Sequence, residues 1–257
     1  MNNTKPNPFF NWVRKEAQAT KLLFRSIPSV VVAFFVISVI SMNLLANKTL
    51  IQYDWIALDA GFLVSWISFL TMDITTKHFG PKAATRMCIF AVFVNLVMSL
   101  IFFVAGSIVT STTYAPEGFN DIFKGTWYIL LSSTIAFLVS GILNNIMNFI
   151  IGKAFKKNPD GIFAFIIRSY VSTFIGQFLD NLIFAVLAFM VFFPIFQGFS
   201  WTFLQCVVCS LTGAVLELLF EAVFSPLGYL IVKKWKKENV GQEYFAFVSQ
   251  KQEEVVA

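Results

Sequence analysis

Apolar residues run along this chain in six long blocks separated by short polar breaks. The blocks leave no polar face at either helical or strand period, the pattern of helices whose solvent is lipid. A helix needs about 20 residues to cross about 30 Å of hydrocarbon. By that measure the crossings run from Ser29 to Leu45, Trp55 to Met72, Met87 to Thr110, Trp127 to Ile151, Ile162 to Phe196 and Phe203 to Val232. The last two exceed what one crossing needs, which predicts tilted single helices. The expected architecture is all-α, a polytopic membrane protein with six transmembrane helices. Its parts are a cytoplasmic segment over residues 1–27, the membrane domain over 28–232 and a polar cytoplasmic tail over 233–257. Residues 1–27 hold no apolar core of a cleavable signal, so the first block is an anchor.

Charge fixes the orientation. Positive loops stay on the cytoplasmic side. With the amino terminus inside, only Lys48 and Lys124 of the 19 Lys and Arg fall outside, and the longest outer loop, residues 111–126, carries Glu117 and Asp121. An odd number of crossings would put the cluster from Lys233 to Lys237 on the wrong side, so both termini are expected in the cytoplasm. The net charge of +5 is then an insertion signal and implies no nucleic-acid partner. Composition agrees, with 57% hydrophobic and 13% charged residues. Residues 7–24 mix Phe9, Phe10 and Trp12 with basic groups, fitting either an amphipathic stretch on the inner leaflet or a frayed polar tail. The tail from Glu238 onward has no packed pattern and reads as solvated and mobile.

Three Cys and one His leave little room for metal or nucleophilic chemistry. Cys206 and Cys209 form a CxxC inside an apolar block, where core packing is the expected role. His78 stands among basic residues and reads as a solvated loop histidine. No Gly-rich nucleotide loop occurs, so the chain is not an ATPase, and neither an enzyme nor a cofactor is expected. The informative residues are the polar ones inside the apolar blocks. An ionisable group in hydrocarbon costs at least about 2.5 to 3.5 kcal/mol on insertion scales. Gln177, Asp180 and Asn181 share one face of the fifth helix, continued by Ser169, Thr173 and Gly176. Glu217 and Glu221 lie one turn apart in the sixth, with Ser210 and Gly213. Asn144, Asn145 and Asn148 follow Ser140 and Gly141 in the fourth. Asp59, Trp66 and Asp73 recur every seven residues in the second. Asn and Ser in such places often only bond helix to helix, but Asp59, Asp180, Glu217 and Glu221 have no cation at their depth. A protonatable or cation-seeking cavity fits them. Carboxylates, amides and a Trp or Phe would suit a flat ring with hydrogen-bonding edges, and Trp66, Phe178 and Phe184 are candidates for its face.

Two segments carry a resemblance. SFLTMDITTKHFGPKAATR, from Ser68 to Arg86, and RSYVSTFIGQFLDNLIF, from Arg168 to Phe184, resemble the signature segments of the queuosine precursor transporters, or VUT family. That family ends its second helix in a pattern close to TDIxxExYGxxxARR and carries SQxxDxxxF in its fifth. Asp73, Gly80, Ala84 and Arg86 match the first; Gln177, Asp180 and Phe184 match the second. Lys77, Phe79, Thr85 and Gly176 depart from it, mostly toward the cytoplasmic end. The resemblance implies a bacterial inner-membrane importer of 7-deazaguanine bases used in tRNA modification. It also implies a fold similar to the substrate-binding subunits of energy-coupling-factor transporters.

The expected site therefore lies between the second, fourth, fifth and sixth helices. Asp180 and Gln177 read the polar edge of a purine-like base, Asn181 and Asn144 assist, Glu217 titrates with transport and Trp66 stacks. Asp73 belongs to an inner gate, paired with Arg86 or the start of the next helix. Two alternatives stand beside this. One is a substrate-binding subunit that needs an ATP-driven energising module; small residues for docking such a module are sparse, with only Ser29 and Ala33 at the right spacing. The other is a membrane scaffold whose carboxylates pair with a partner's basic helix.

Overall fold

The computed structural model describes residues 8–108, 118–154 and 162–256. It contains helices α1 (Pro8–Ser26), α2 (Ser29–Leu45), α3 (Phe62–Phe79), α4 (Pro81–Ser107), α5 (Phe119–Ala154) and α6 (Ile162–Ala185). A π-helical turn (Val186–Phe192) joins α6 to the short α7 (Phe193–Phe196), and α8 (Phe203–Lys237) and α9 (Gln242–Val256) complete the chain. Strands β1 (Thr49–Gln52) and β2 (Ala57–Asp59) form an antiparallel hairpin between α2 and α3. Six of the long helices close a ring: α2 packs on α3, α3 on α8, α8 on α6, α6 on α5, α5 on α4, and α4 back on α2 and α3. The protein is an all-α polytopic membrane protein. By length and composition four helices among the described residues can cross a membrane, or five if α1 and α2, bent by 103°, make one span. The sixth expected crossing would need both α2 and α3. At 17 residues α2 is short of a full crossing, and α3 interrupts its apolar character with Ser65, Ser68, Thr71 and Thr75.

The second block begins later than expected. Residues 55–59 belong to the hairpin, and α3 starts only at Phe62, so Asp59 sits on β2 and not on a helical face with Trp66 and Asp73. Its carboxylate accepts from the Gly61 amide at 2.7 Å, a local turn that competes with helix and delays it. The next helix starts earlier than the apolar pattern, because Gly80 breaks α3 at φ 89° and Pro81 opens α4 with its fixed φ and spare N–H position. In the fifth block Pro194 explains the π turn. Phe193 N–H bonds to Ala188 C=O, and the next amide, which would take the Phe189 carbonyl in that register, is missing because residue 194 is proline. The Trp201 amide takes it instead at 3.1 Å, drawing the following loop back onto the helix, where Trp201 stacks on Phe189.

Two apolar clusters occupy the ends of the ring. One joins Leu23, Ile27, Phe35, Ile74, Met87, Val232 and Tyr244 at the α1/α9 end; the other joins Ala46, Leu58, Tyr128, Phe189, Trp201 and Cys206 at the hairpin end. Along α2, α3 and α8 the buried polar residues fall between them. Both chain ends are more ordered than the sequence suggests. α1 is a helix that buries Ala19 and Leu23 and exposes Phe9, Phe10 and Trp12, the amphipathic alternative. The tail, expected to be mobile, forms α9: Tyr244 is buried there and receives a hydrogen bond from Arg86, and α9 packs on α1. His78 is no loop residue. It closes α3 with Nε2 2.9 Å from the Val240 carbonyl, edge-on to Phe79, Trp235 and Phe245. Cys206 and Cys209 are free and buried in α8.

Candidate functional site

Polar residues of α2, α3, β2, α6 and α8 meet in a cavity of about 90 Å³. Asp59, Asp180 and Glu217 bring three carboxylates to its lining; Asn43, Asn181, Ser65 and Ser133 add amides and hydroxyls, and Phe62, Phe69 and Phe184 add ring faces. Each group is positioned by a local feature of the sequence. Asp180 accepts from Ser140 Oγ of α5 at 2.7 Å, a bond that ties α5 to α6. Asn181, the next residue, turns to α8 and donates from Nδ2 to Glu217 Oε2 at 3.4 Å. Gly213 makes that approach possible, since a Cβ there would lie 2.9 Å from Asn181 Nδ2. Asp59 reaches the cavity from the hairpin, held by the Gly61 amide.

A second cavity of about 180 Å³ adjoins the first, sharing Met42, Asn43, Phe69, Ser133 and Asp180. It extends between α2, α3, α4 and α5 and is mostly apolar apart from Asn95, Ser68 and Thr134. No described Lys or Arg lines either space. A carboxylate so placed needs a proton, hydrogen-bond donors or a cationic ligand to remain there. Among the described residues no three His, Cys, Asp or Glu side chains converge as a metal-ligand set.

The expected site residues separate into groups. Asp180, Asn181 and Glu217 come together in the first cavity. Gln177 does not line it, although it is one turn from Asn181, and its buried Oε1 has no hydrogen-bond partner among the described residues. Trp66 does not line it either: its ring stacks on Phe224 of α8 at 4.4 Å and its Nε1 donates to Leu63 of its own helix. The side chains of Asn144, Glu221 and Asp73 lie outside the described residues. Arg86, expected at a gate with Asp73, forms an ion pair with Glu16 of α1 and donates to Tyr244 of α9, so it braces the two terminal helices against α4. Sequence reasoning passed over Asn43 and Asn95. Their signal was modest: each is a lone amide in an otherwise apolar block.

The family model described as "putative vitamin uptake transporter" matches residues 59–231, well over half of the chain, and the chain belongs to that family. It is a transporter family and not an enzyme family. No curated protein and no solved structure matches the chain.

Proposed function

We propose that this member of the vitamin uptake transporter family imports a small planar heterocycle, a purine-like base of the 7-deazaguanine kind that is a precursor of queuosine. The observation that carries the reading is the first cavity, where Asp59, Asp180 and Glu217 meet amides and aromatic faces without any Lys or Arg among the described lining residues. Such a cavity matches a flat ligand rich in N–H donors, because carboxylates only accept and rings stack. It fits an anion poorly. Asp180 and Asn181 are the central contacts, and Glu217, held by Asn181, is the group placed to exchange a proton or a ligand contact during transport. Gln177 acts one turn away, as a group that the substrate or a rearranged α6 would satisfy. Asn144 belongs to the same helix as Ser140, the partner of Asp180.

In this reading the bundle sits in a bacterial inner membrane, α2 and α3 complete six crossings, and α1 and α9 lie on the cytoplasmic side with both termini. The exposed Phe9, Phe10 and Trp12 of α1 then rest in the inner leaflet near Arg14, Lys15 and Lys21. The sequence has no nucleotide-binding loop, so an ion gradient or an ATP-driven partner module supplies the energy.

The test is tRNA queuosine content in a bacterium that can neither make nor import deazaguanine precursors, supplied with 7-deazaguanine bases at low concentration. Expression of this chain should restore modification, and Asp180→Ala should remove the effect. Membrane-inserted protein that restores nothing would overturn the substrate assignment, and restoration only alongside ATPase subunits would identify the energising module.

A further inference from the structure

A buried amide donor with nothing to donate to is costly, and in a membrane bundle it ordinarily bonds to a neighbouring helix. Two such donors belong to residues that line one space here. Asn43 of α2 is 2% exposed and Asn95 of α4 is 1% exposed, and the Nδ2 of each has no hydrogen-bond partner among the described residues. Both line the second cavity, and Asn43 also lines the first. Phe35, Val39, Val92 and Phe137 surround them, and the other polar lining residues are Ser68, Ser133, Thr134 and Asp180. The two cavities meet at Asp180 and Ser133. The joined space is thus lined by acceptor-only carboxylates and by two amide residues whose donors lack a partner among the described residues.

We propose that Asn43 and Asn95 form the acceptor-reading half of a two-sided binding site. They donate to the carbonyl edge of a small lactam-bearing heterocycle whose N–H groups face Asp180, Asn181 and Glu217. A carbonyl oxygen has two lone pairs and can take both donors. The assignment rests on the uptake function proposed above and adds to it the residues that read the ring carbonyl of such a base. A purine lacking the carbonyl would leave both amides unpaired, and that asymmetry is how a buried polar site rejects an analogue.

The experiment uses the full chain in lipid nanodiscs. It compares 7-deazaguanine with 2-amino-7-deazapurine, which lacks the carbonyl, on wild-type protein, Asn43→Leu and Asn95→Leu. Each lost neutral hydrogen bond is worth about tenfold in affinity. Wild type should prefer 7-deazaguanine by about 100-fold, and each Leu variant should shrink that preference about tenfold while leaving the analogue's affinity unchanged. Without ligand, both variants should melt at the same temperature as wild type or higher, since each removes an unpartnered donor. Equal weakening of both probes would overturn the proposal. So would a lower melting temperature in both ligand-free variants, because the amides would then be bonding helix to helix. Should wild type bind neither probe, the uptake substrate proposed above fails, and the ligand-free melting still decides the amides: a drop overturns their ligand role, and a rise or no change supports it.

Discussion

The middle of the bundle and its α1/α9 end both bury charged and polar groups, but they treat them in opposite ways. At the α1/α9 end Arg86 is matched by the Glu16 carboxylate and the Tyr244 hydroxyl, and the His78 ring reaches the Val240 carbonyl. The Arg86 charge is paired there, and the bonds join segments far apart in sequence, α1, α4 and α9. In the middle, Asp59, Asp180 and Glu217 share a space with no described cation, and the Nδ2 groups of Asn43 and Asn95 have no partner among the described residues. A protein interior tolerates unbalanced polarity only at a cost, so a balanced cluster marks support and an unbalanced one marks a place for something that arrives. Uptake should therefore depend on the middle and stability on the α1/α9 end.

The sharpest separation comes from Asp180→Asn. Hydrogen bonds to a charged group are worth about 1.5 to 3 kcal/mol, so substrate affinity should fall at least tenfold and as much as about 100-fold. The melting temperature should hold, because Ser140 Oγ keeps its bond to Phe137 C=O when the carboxylate is gone. Radiolabelled uptake together with thermal unfolding reads both; a large drop in melting temperature without an affinity change would reverse the roles given to the two regions. Arg86→Ala is the mirror experiment. It removes an ion pair whose Glu16 partner is about one-third exposed, so the loss is nearer 1 to 2 kcal/mol than the cost of a dry pair. Unfolding should come at lower temperature while uptake per inserted molecule stays unchanged. Next is Gly213→Ala, whose new Cβ would press on Asn181 Nδ2. Displacing Asn181 from Glu217 should raise KM about tenfold with little change in maximal rate, the signature of lost binding common to all states. Tyr244→Phe removes one hydroxyl from Arg86 and should cost about 0.5 to 1.5 kcal/mol of stability, measured by unfolding, with no effect on KM.

Sequence alone revealed much of this contrast, but unevenly. Apolar length carried the fold class, because lipid forces every backbone group into helices and the blocks are long. The same signal blurred the boundaries. Trp55 to Asp59 is apolar enough to extend a crossing, yet the bond between Asp59 and Gly61 ends that possibility through turn chemistry that hydropathy does not see. The tail failed for the converse reason: Glu243, Gln250 and Glu253 look solvated, while the few apolar residues that seat α9, Tyr244 above all, lie too sparsely to register as a face. Within the site, Asp180 and Glu217 were legible because a carboxylate in an apolar block is rare. Asn43 and Asn95 were not, because a single amide there is ordinarily a helix-to-helix bond, and only the geometry reveals that theirs is unmade. Arg86 is expected beside Asp73, whereas its partner Glu16 lies 70 residues away in a segment that could equally be a frayed tail.

Trp66 marks the edge of the functional region, and its prediction is the smallest. Seven-residue spacing had put it beside Asp59 and Asp73 as a stacking surface for the substrate. The structure turns it instead toward α8, parallel to Phe224 within 15° at 4.4 Å and 6.5 Å from Phe220, while the rings that line the cavity are Phe62, Phe69 and Phe184. Its only hydrogen bond among the described residues runs to Leu63 within the same turn, so a phenylalanine keeps the stack and loses little. Trp66→Phe should leave KM within about twofold and cost about 0.5 kcal/mol of stability, whereas Phe69→Ala, which opens the shared wall of both cavities, should weaken binding several-fold. If Trp66→Phe alone raised KM tenfold, the Trp66 and Phe224 pair would have to part to admit substrate between α3 and α8. The unbalanced region would then reach the outer surface of the ring along that seam.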